Sequence, residues 1–203
     1  KIIHIHHIFF AIPAIILKFL GKKIVITIHG SDIHKINNSN LLRSILKLFD
    51  LVLVVSLYQK KILAKFLNQN KIKYIGNAVD CSFYKNEINY DKRENIIINI
   101  GSLRWQKNQK LLLEVFNEIY KIFPSWKLII LGEGEERKNM EKYISSNNLN
   151  EIVLLKGSVD KKQVNYWLNK SKIFIMCSLT EGFPKALLEA SACGCASIST
   201  NVG

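Results

Sequence analysis

Proline and glycine are scarce in this chain, three and ten of 203 residues. That excludes collagen-like and low-complexity sequences. Acidic side chains are few, 16 against 29 basic ones, which leaves a formal charge of +13. Cysteine occurs four times, at 81, 177, 193 and 195, and never as a C-x-x-C pair. Cys193 and Cys195 flank one glycine and cannot alone close a zinc site. Reduced thiols of a cytosolic protein are the simplest reading. Uncharged apolar runs stay short of the roughly 20 residues that a spanning helix needs. Residues 2–17 come nearest, but they contain His4, His6, His7 and Pro13, and Lys18 follows. They lack a small-residue cleavage site, so they read as a buried strand followed by a helix rather than a signal peptide. The chain starts without Met and stops just after a strand-like run, so a fragment of a longer protein is expected. Apolar side chains are plentiful at 48%. This excludes a disordered chain, which cannot bury enough surface to offset its conformational entropy.

The charge is unevenly spread. Residues 1–90 carry 13 basic and 4 acidic side chains, residues 91–203 carry 16 and 12. In the first part Lys18, Lys22, Lys23, Lys35, Arg43, Lys47, Lys60, Lys61 and Lys65 fall on helical segments. Such a face is either plainly solvated or attracted to anionic lipid head groups, at about 1 kcal/mol per basic residue near the surface. An anionic membrane surface is therefore an expected partner, at the cytoplasmic face of the inner membrane. No DNA- or RNA-binding motif is present, and no nucleic-acid partner is expected.

Apolar, β-branched runs recur at 24–28, 51–55, 96–100, 128–131, 152–155, 173–176 and 196–199. Their near-continuous apolarity suits strands covered on both faces, as in parallel sheets. Between them lie helix candidates at 41–49, 58–67, 109–122, 135–146, 162–169 and 185–193. In 109–122 the residues Leu112, Val115, Phe116 and Ile119 share one helical face. The alternation specifies an α/β fold with parallel strands. Residues 81–94 are polar and aperiodic and read as a linker. The expected domains are 1–85 and 86–203, two Rossmann-like units facing a cleft at the carboxyl ends of their strands.

The stretch from Ser178 to Gly194 carries the most chemistry. It follows a strand and opens a helix, with Pro184 suited to the first turn and Gly194 to the position past the end. Backbone N–H groups at Gly182, Phe183 and Lys185, aided by the helix dipole, form a site for anionic or polar oxygens. Glu181 stands at the helix mouth and Glu189 about one turn inside. A single Glu in a first turn is explained by the dipole alone. Two Glu eight positions apart around a Gly-Phe-Pro loop are a rarer combination. Another loop, 101–108, offers Arg104 and Lys107 just before a helix, where phosphate binding is expected.

Elsewhere the plain reading prevails. His4 and His6 share a strand face but lack a third metal ligand at suitable spacing, so packing or hydrogen bonding accounts for them. Ser56 reads as a helix N-cap. No Gly-x-Ser-x-Gly elbow or Walker A loop occurs, and Gly132-Glu133-Gly134 does not complete a dinucleotide fingerprint. Trp105, Trp126 and Trp167 read as packing residues.

The 181–189 stretch resembles the E-x7-E motif of the retaining GT-B glycosyltransferases of family 4. The likeness spans nearly the whole chain. His29-Gly30-Ser31-Asp32 resembles the family's HGSD turn. Val54-Val55-Ser56 and the run from Ile75 to Asp80 resemble later segments of its acceptor-side domain. Gly101-Ser102-Leu103-Arg104 through Lys107 resembles the turn opening its nucleotide-sugar domain. Leu131-Gly132-Glu133-Gly134 and the run from Leu155 to Val159 follow in order.

The resemblance implies a nucleotide-diphospho-sugar donor, UDP-linked, and transfer with retention to a glycan or lipid-linked acceptor, without a metal or other cofactor. It assigns Glu181 and His29 to the reacting sugar and Glu189 to the ribose hydroxyls. It assigns Gly101, Ser102, Arg104, Lys107, Val159, Gly182, Phe183, Pro184 and Lys185 to donor binding. Pro184 has no N–H to give, and Ser102 stands where the family commonly has Arg. The family's first strands are expected before Lys1 and its closing strands after Gly203. Two rival readings use the same architecture: a nucleotide-sugar epimerase of GT-B shape and a non-catalytic nucleotide-binding fragment.

Overall fold

The computed structural model describes residues 1–202, the side chain of Ser31 excepted. Gly203, the end of the second expected domain, and the Ser31 side chain of the HGSD turn lie outside the described residues. The chain forms two units.

The first unit comprises Lys1–Asn77 with Glu181–Phe183. Its strands are β1 (Ile2–Ile5), β2 (Lys23–Ile28), β3 (Leu51–Val54) and β4 (Ile72–Tyr74), all parallel in the order β1-β2-β3-β4. The connections carry α1 (Ala11–Phe19), α2 (Gly30–Asn37), α3 (Asn40–Lys47) and α4 (Leu57–Leu63). Ile24, Ile26, Ile28, Val52 and Val54 are fully buried, joined by Ile36, Leu46 and Phe49 from the connecting segments. Ser39 and Ser56 cap α3 and α4 by accepting the N–H groups of Leu42 and Gln59. Ser56 thus has the capping role its sequence position suggests. The carboxylate of Asp50 accepts the Ile24 N–H at 2.8 Å and meets Lys18 at 3.0 Å. The backbone bond first, then the lysine, hold its pKa below the usual value.

One expectation for this unit needs correction: β1 is not a buried strand. Ile2 is 70% exposed and the strand alternates exposed and half-buried positions, because it pairs with β2 along one side only. Two elements escaped the pattern, α2 and β4. The first is a polar eight-residue helix whose start is fixed by the His29 N–H donating to Asp32 at 3.1 Å. The second has only three residues.

The second unit comprises Ala78–Thr180 and Pro184–Val202. It contains β5 (Glu94–Ile100), α5 (Gln109–Ile122), β6 (Lys127–Leu131), α6 (Arg137–Ser146), β7 (Val153–Gly157), α7 (Lys161–Lys170), β8 (Ser171–Met176), α8 (Lys185–Ala192) and β9 (Ala196–Ser199). All its strands are parallel, in the order β7-β6-β5-β8-β9. Successive residues of β5 serve opposite faces. Ile96 and Ile98 join Phe174, Leu168 and Ala190 in one core, and Ile97 joins Leu112, Leu113, Phe116 and Leu128 in the other. Coverage of both faces is what made these strands read as unbroken apolar runs.

Residues 81–94 are not a free linker. They fold against the second unit around Arg93, which is 4% exposed. Its guanidinium donates to the carbonyls of Ile88, Leu168, Ser171 and Cys193 and to Asn86 Oδ1. Leu168 lies in the last turn of α7 and Cys193 ends α8. The carboxyl ends of two helices thus point partial negative charge at one buried cation. Gly194 follows α8 at φ +79°, and a Cβ there would stand 2.9 Å from Asn86 Nδ2. Both the backbone angle and this approach demand glycine. Asn169 closes the packing by accepting the Glu87 N–H at 2.8 Å. Arg93→Met leaves several buried carbonyls without donors, and urea denaturation should show a loss of about 3 kcal/mol or more.

Candidate functional site

The strand order of the second unit contains a switch point. The chain leaves β5 to one side, building β6 and β7, then returns to lay β8 on the other side of β5. In open parallel sheets ligands bind beyond the carboxyl ends of the strands at such a point. Two loops flank it here, 101–108 after β5 and 177–184 after β8.

The first loop is held from below. The Leu103 N–H donates to Glu133 O at 2.9 Å, and Leu103 O accepts the Glu136 N–H at 3.0 Å. Gly132 sits against it so closely that a Cβ there would lie 1.9 Å from Gly101 O. Gln109 Nε2 donates to Ser102 O at 3.1 Å. A 3-10 turn, Trp105–Lys107, ends at Asn108 in the left-handed conformation, φ 52°, and α5 begins there. Lys107 lays its side chain along Gly101, with Cε 3.8 Å from the place a Cβ would take. The second loop is tied to the first by the Leu179 N–H, which donates to Gln106 O at 2.8 Å. Across the seam, Asn99 of β5 donates to Ile175 O of β8 at 2.8 Å.

Pro184 stands immediately before α8 rather than inside its first turn, and Gly194 lies just past its end as the sequence suggests. Lys185 opens the helix and Glu189 follows one turn later. Burial lifts the Glu189 carboxyl above the usual carboxylate range, against the opposing pull of Tyr84, Lys185 and Lys161. Tyr84 lies beside that carboxylate, and burial followed by the Glu189 charge pushes its hydroxyl up to about 12. Val159, beyond the end of β7, is half-buried against the core that includes Phe174 and Ala190.

In the first unit, His29 ends β2 and precedes α2. The ring of His6 stacks 6.2 Å from it. His4 is hydrogen-bonded to Thr27 Oγ1 at 2.8 Å, the role its spacing suggested. His7 Nδ1 faces the buried Asp32 at 3.4 Å. Glu181, Gly182 and Phe183 belong to this unit too. Asn77 Nδ2 donates to Phe183 O at 2.8 Å, and a Cβ on Gly30 would come within 2.7 Å of Gly182 N. His29 and Glu181 are therefore sequence neighbours of two backbones in contact.

Arg104 follows a different course from Lys107. With Trp105 it lines a groove against α6. Trp105 is 61% exposed, so it is not the packing residue the sequence suggested. Trp167, by contrast, packs against the core. Sequence reasoning missed Tyr84, which lies in an aperiodic stretch, and the Asn77 contact, which spans 106 residues.

A Rossmann-like parallel sheet with a basic glycine loop at its switch point and a Glu-bearing helix beside it, in a chain with a second parallel sheet, defines the GT-B class of fold. The chain belongs to the glycosyl transferases group 1, the family 4 glycosyltransferases. The group 1 model matches residues 81–203 and the Glycosyltransferase Family 4 model residues 1–83. A phosphatidylinositol N-acetylglucosaminyltransferase component of Arabidopsis thaliana is 31% identical, over 91% of this chain and 43% of the relative. The Homo sapiens protein of the same name is also 31% identical, over 100% and 44%. The N-acetyl-alpha-D-glucosaminyl L-malate synthase of Bacillus anthracis is 30% identical, over 100% and 57%. The chain spans about half the length of these relatives. Among solved structures, Anabaena HepE in complex with UDP and glucose has the same fold, with a TM-score of 0.83 at 17% identity over 98% of this chain and 59% of that one. Sucrose-phosphate synthase from Thermosynechococcus elongatus gives 0.84 at 19%, over 100% and 56%.

The raised pKa of Glu189 has a consequence for stability. The folded protein holds that proton more tightly than the unfolded chain, so stability is greatest below the unfolded carboxylate pKa and falls as pH rises through the folded one. Glu189→Gln should raise the Tm at neutral pH by about 1–3 °C. The gap should close below about pH 3, where the carboxylate is protonated in both states. Thermal melts across that range check this.

Proposed function

We propose that this chain is part of a retaining glycosyltransferase that moves a sugar from a nucleotide-diphospho-sugar, UDP-linked, to a glycan or lipid-linked acceptor. The observation that carries the reading is the helix mouth at the switch point. There α8 presents its N-terminal end and the half-buried Glu189, and the loop tied to the one preceding it presents Lys107. Family membership supports the reaction class. The names of the relatives support an acetylated hexosamine as the sugar, and the UDP of the HepE complex supports the nucleotide.

In this reading Glu189 accepts the ribose hydroxyls beside Tyr84. Lys107, Lys185 and the N–H groups of Gly101, Ser102, Gly182 and Phe183 take the diphosphate charge. Val159 flanks the nucleoside. Breaking the glycosyl–phosphate bond leaves positive charge on the anomeric carbon and negative charge on the diphosphate. Fixed cations and N–H dipoles stabilise the leaving group as it departs, without a metal or other cofactor. Glu181 and His29 hold the sugar hydroxyls near the reacting carbon. The acceptor oxygen attacks from the face the diphosphate leaves, and a donor phosphate oxygen takes its proton. Retention follows, with no covalent sugar–enzyme intermediate.

Attachment to an anionic membrane surface is part of the same proposal. Phe10, Ile16, Phe19 and Leu20, on or beside α1, are each more than 60% exposed, and Lys22 and Lys23 follow them. Such a face suits the boundary between head groups and acyl chains. No helix among the described residues is long and apolar enough to cross a membrane.

UDP should raise the Tm of the chain, and Lys107→Ala and Glu189→Ala should each weaken UDP binding about tenfold. Glu181→Ala should keep UDP affinity and lower sugar transfer by about a hundredfold or more. UDP binding that both Lys107→Ala and Glu189→Ala leave untouched overturns the site. Separately, the chain should sediment with phosphatidylserine vesicles and not with phosphatidylcholine ones, and Phe19→Glu should abolish this. Equal sedimentation with both overturns the charge-driven attachment.

A further inference from the structure

The first unit carries an apolar face that turns away from its own core. Phe9, Ile12, Ile16 and Phe19 follow one another at helical spacing and are 67%, 56%, 63% and 85% exposed. Ala11 and Ala14, on the other side, are buried. α1 is therefore apolar on both sides, whereas a helix with only water outside it carries a polar face.

Charge says what covers that face. Among residues 1–49 the sole acidic side chain is Asp32, and it is fully buried. Basic side chains stand at both ends of the face. Lys35 Nζ lies 3.8 Å from the centroid of the Phe9 ring, and Lys22 and Lys23 follow the other end. Lys18, within α1, is turned aside to Asp50 at 3.0 Å. A second copy of this chain would bring like charges together around the face, whereas an anionic lipid surface meets them with opposite charge. Cations at both ends also set the tilt. Standing on end, α1 would separate Phe9 from Phe19 by about 15 Å in depth and draw one cationic end into the acyl chains. Lying flat, it keeps both ends among the head groups. The Phe9 end is joined to the proposed reaction site. The Phe9 ring stacks on His7 at 4.8 Å, His7 Nδ1 faces Asp32 Oδ1 at 3.4 Å, and Asp32 Oδ2 accepts the His29 N–H at 3.1 Å.

We infer that α1 lies flat in the head-group boundary of an anionic bilayer, and that the acceptor reaches the site beside His29 as part of a membrane lipid. Phe9 and Phe19 then sit at equal depth, and the carboxyl ends of β1 and β2 stand at head-group level. A lipid-borne hydroxyl meets His29 there without leaving the head-group layer. A soluble glycan gains nothing from a reaction site held at that level. The inference rests on the membrane attachment proposed above and narrows the acceptor to its lipid-linked class.

Fluorescence quenching of the 203-residue chain on phosphatidylserine vesicles tests it. Phe9→Trp, Phe19→Trp and His6→Trp each place an indole at an exposed position, and the unsubstituted chain supplies the constant signal of Trp105, Trp126 and Trp167. Phosphatidylcholine brominated along its acyl chains, mixed into the vesicles, should quench positions 9 and 19 to within about twofold of each other. It should leave position 6 unchanged, while phosphatidylcholine with a nitroxide on its head group should quench that position. If His6→Trp fails to fold, His34→Trp on the exposed side of α2 takes its place. Lys35→Glu should weaken vesicle binding about tenfold. Acyl-chain quenching at position 19 alone, no head-group quenching beside β1 and β2, or a dimer that Phe19→Glu dissolves each overturns the inference. Failure to sediment with phosphatidylserine vesicles at all overturns the attachment itself, whereas sedimentation with the wrong quenching pattern overturns only this inference.

Discussion

The second unit depends on a buried cation that has no carboxylate partner among the described residues. Arg93 is buried among carbonyl oxygens at the ends of α7 and α8, at the start of β8 and within its own loop. Helix ends of that kind must find donors, and a guanidinium has five in a rigid fork. Binding them to one residue fixes where α8 ends. Because α8 has only eight residues, its far end is then fixed as well. The mouth proposed to face the sugar diphosphate is therefore set from the opposite end of the helix.

The same loop that carries Arg93 carries Tyr84. One short segment thus anchors α8 through its carboxyl end and places Tyr84 beside Glu189. Glu189 is held in an environment that raises its pKa, and the Tyr84 hydroxyl only partly offsets the cost of burying its charge. A group chosen for stability alone would not be an acid in that position. In the proposed role of accepting ribose hydroxyls a carboxylate gains from being desolvated, since its hydrogen bonds are then made against little competition from water.

The fold was legible because parallel sheets leave a coarse signature. Runs such as 96–100 and 128–131 are apolar at nearly every position, since alternate residues fill different cores. The helix ends were legible where Pro184 and Gly194 mark them. Elements that depend on few residues or on polar contacts left no such trace. β4 is three residues long, α2 is largely polar, and residues 81–94 lack any period because their packing is organised by hydrogen bonds to Arg93. The site was legible as a set of residue types, through the E-x7-E spacing and the basic loop. Its internal linkage was not. The bonds between Leu179 and Gln106 and between Asn77 and Phe183 use backbone groups or distant partners, which no local pattern encodes. Trp105 was misjudged for a related reason: composition says that tryptophan packs, and only the structure says which face of the loop it occupies.

The buried polar atoms without partners show where stability has been set aside. Among the described residues they are Gln59 Nε2, Asn99 Oδ1, Gln106 Oε1 and Gln109 Oε1, while His7 Nδ1 and Asp32 Oδ1 face each other at 3.4 Å. Asn99 is the penultimate residue of β5, and Gln106 and Gln109 follow that strand. Gln59 follows β3 in the same way. All four lie at or just beyond the carboxyl ends of parallel strands, the ends at which this architecture receives ligands. Random imperfection would scatter such atoms over both ends of both sheets. Their gathering at one end is what is expected of groups whose partners arrive from outside the chain.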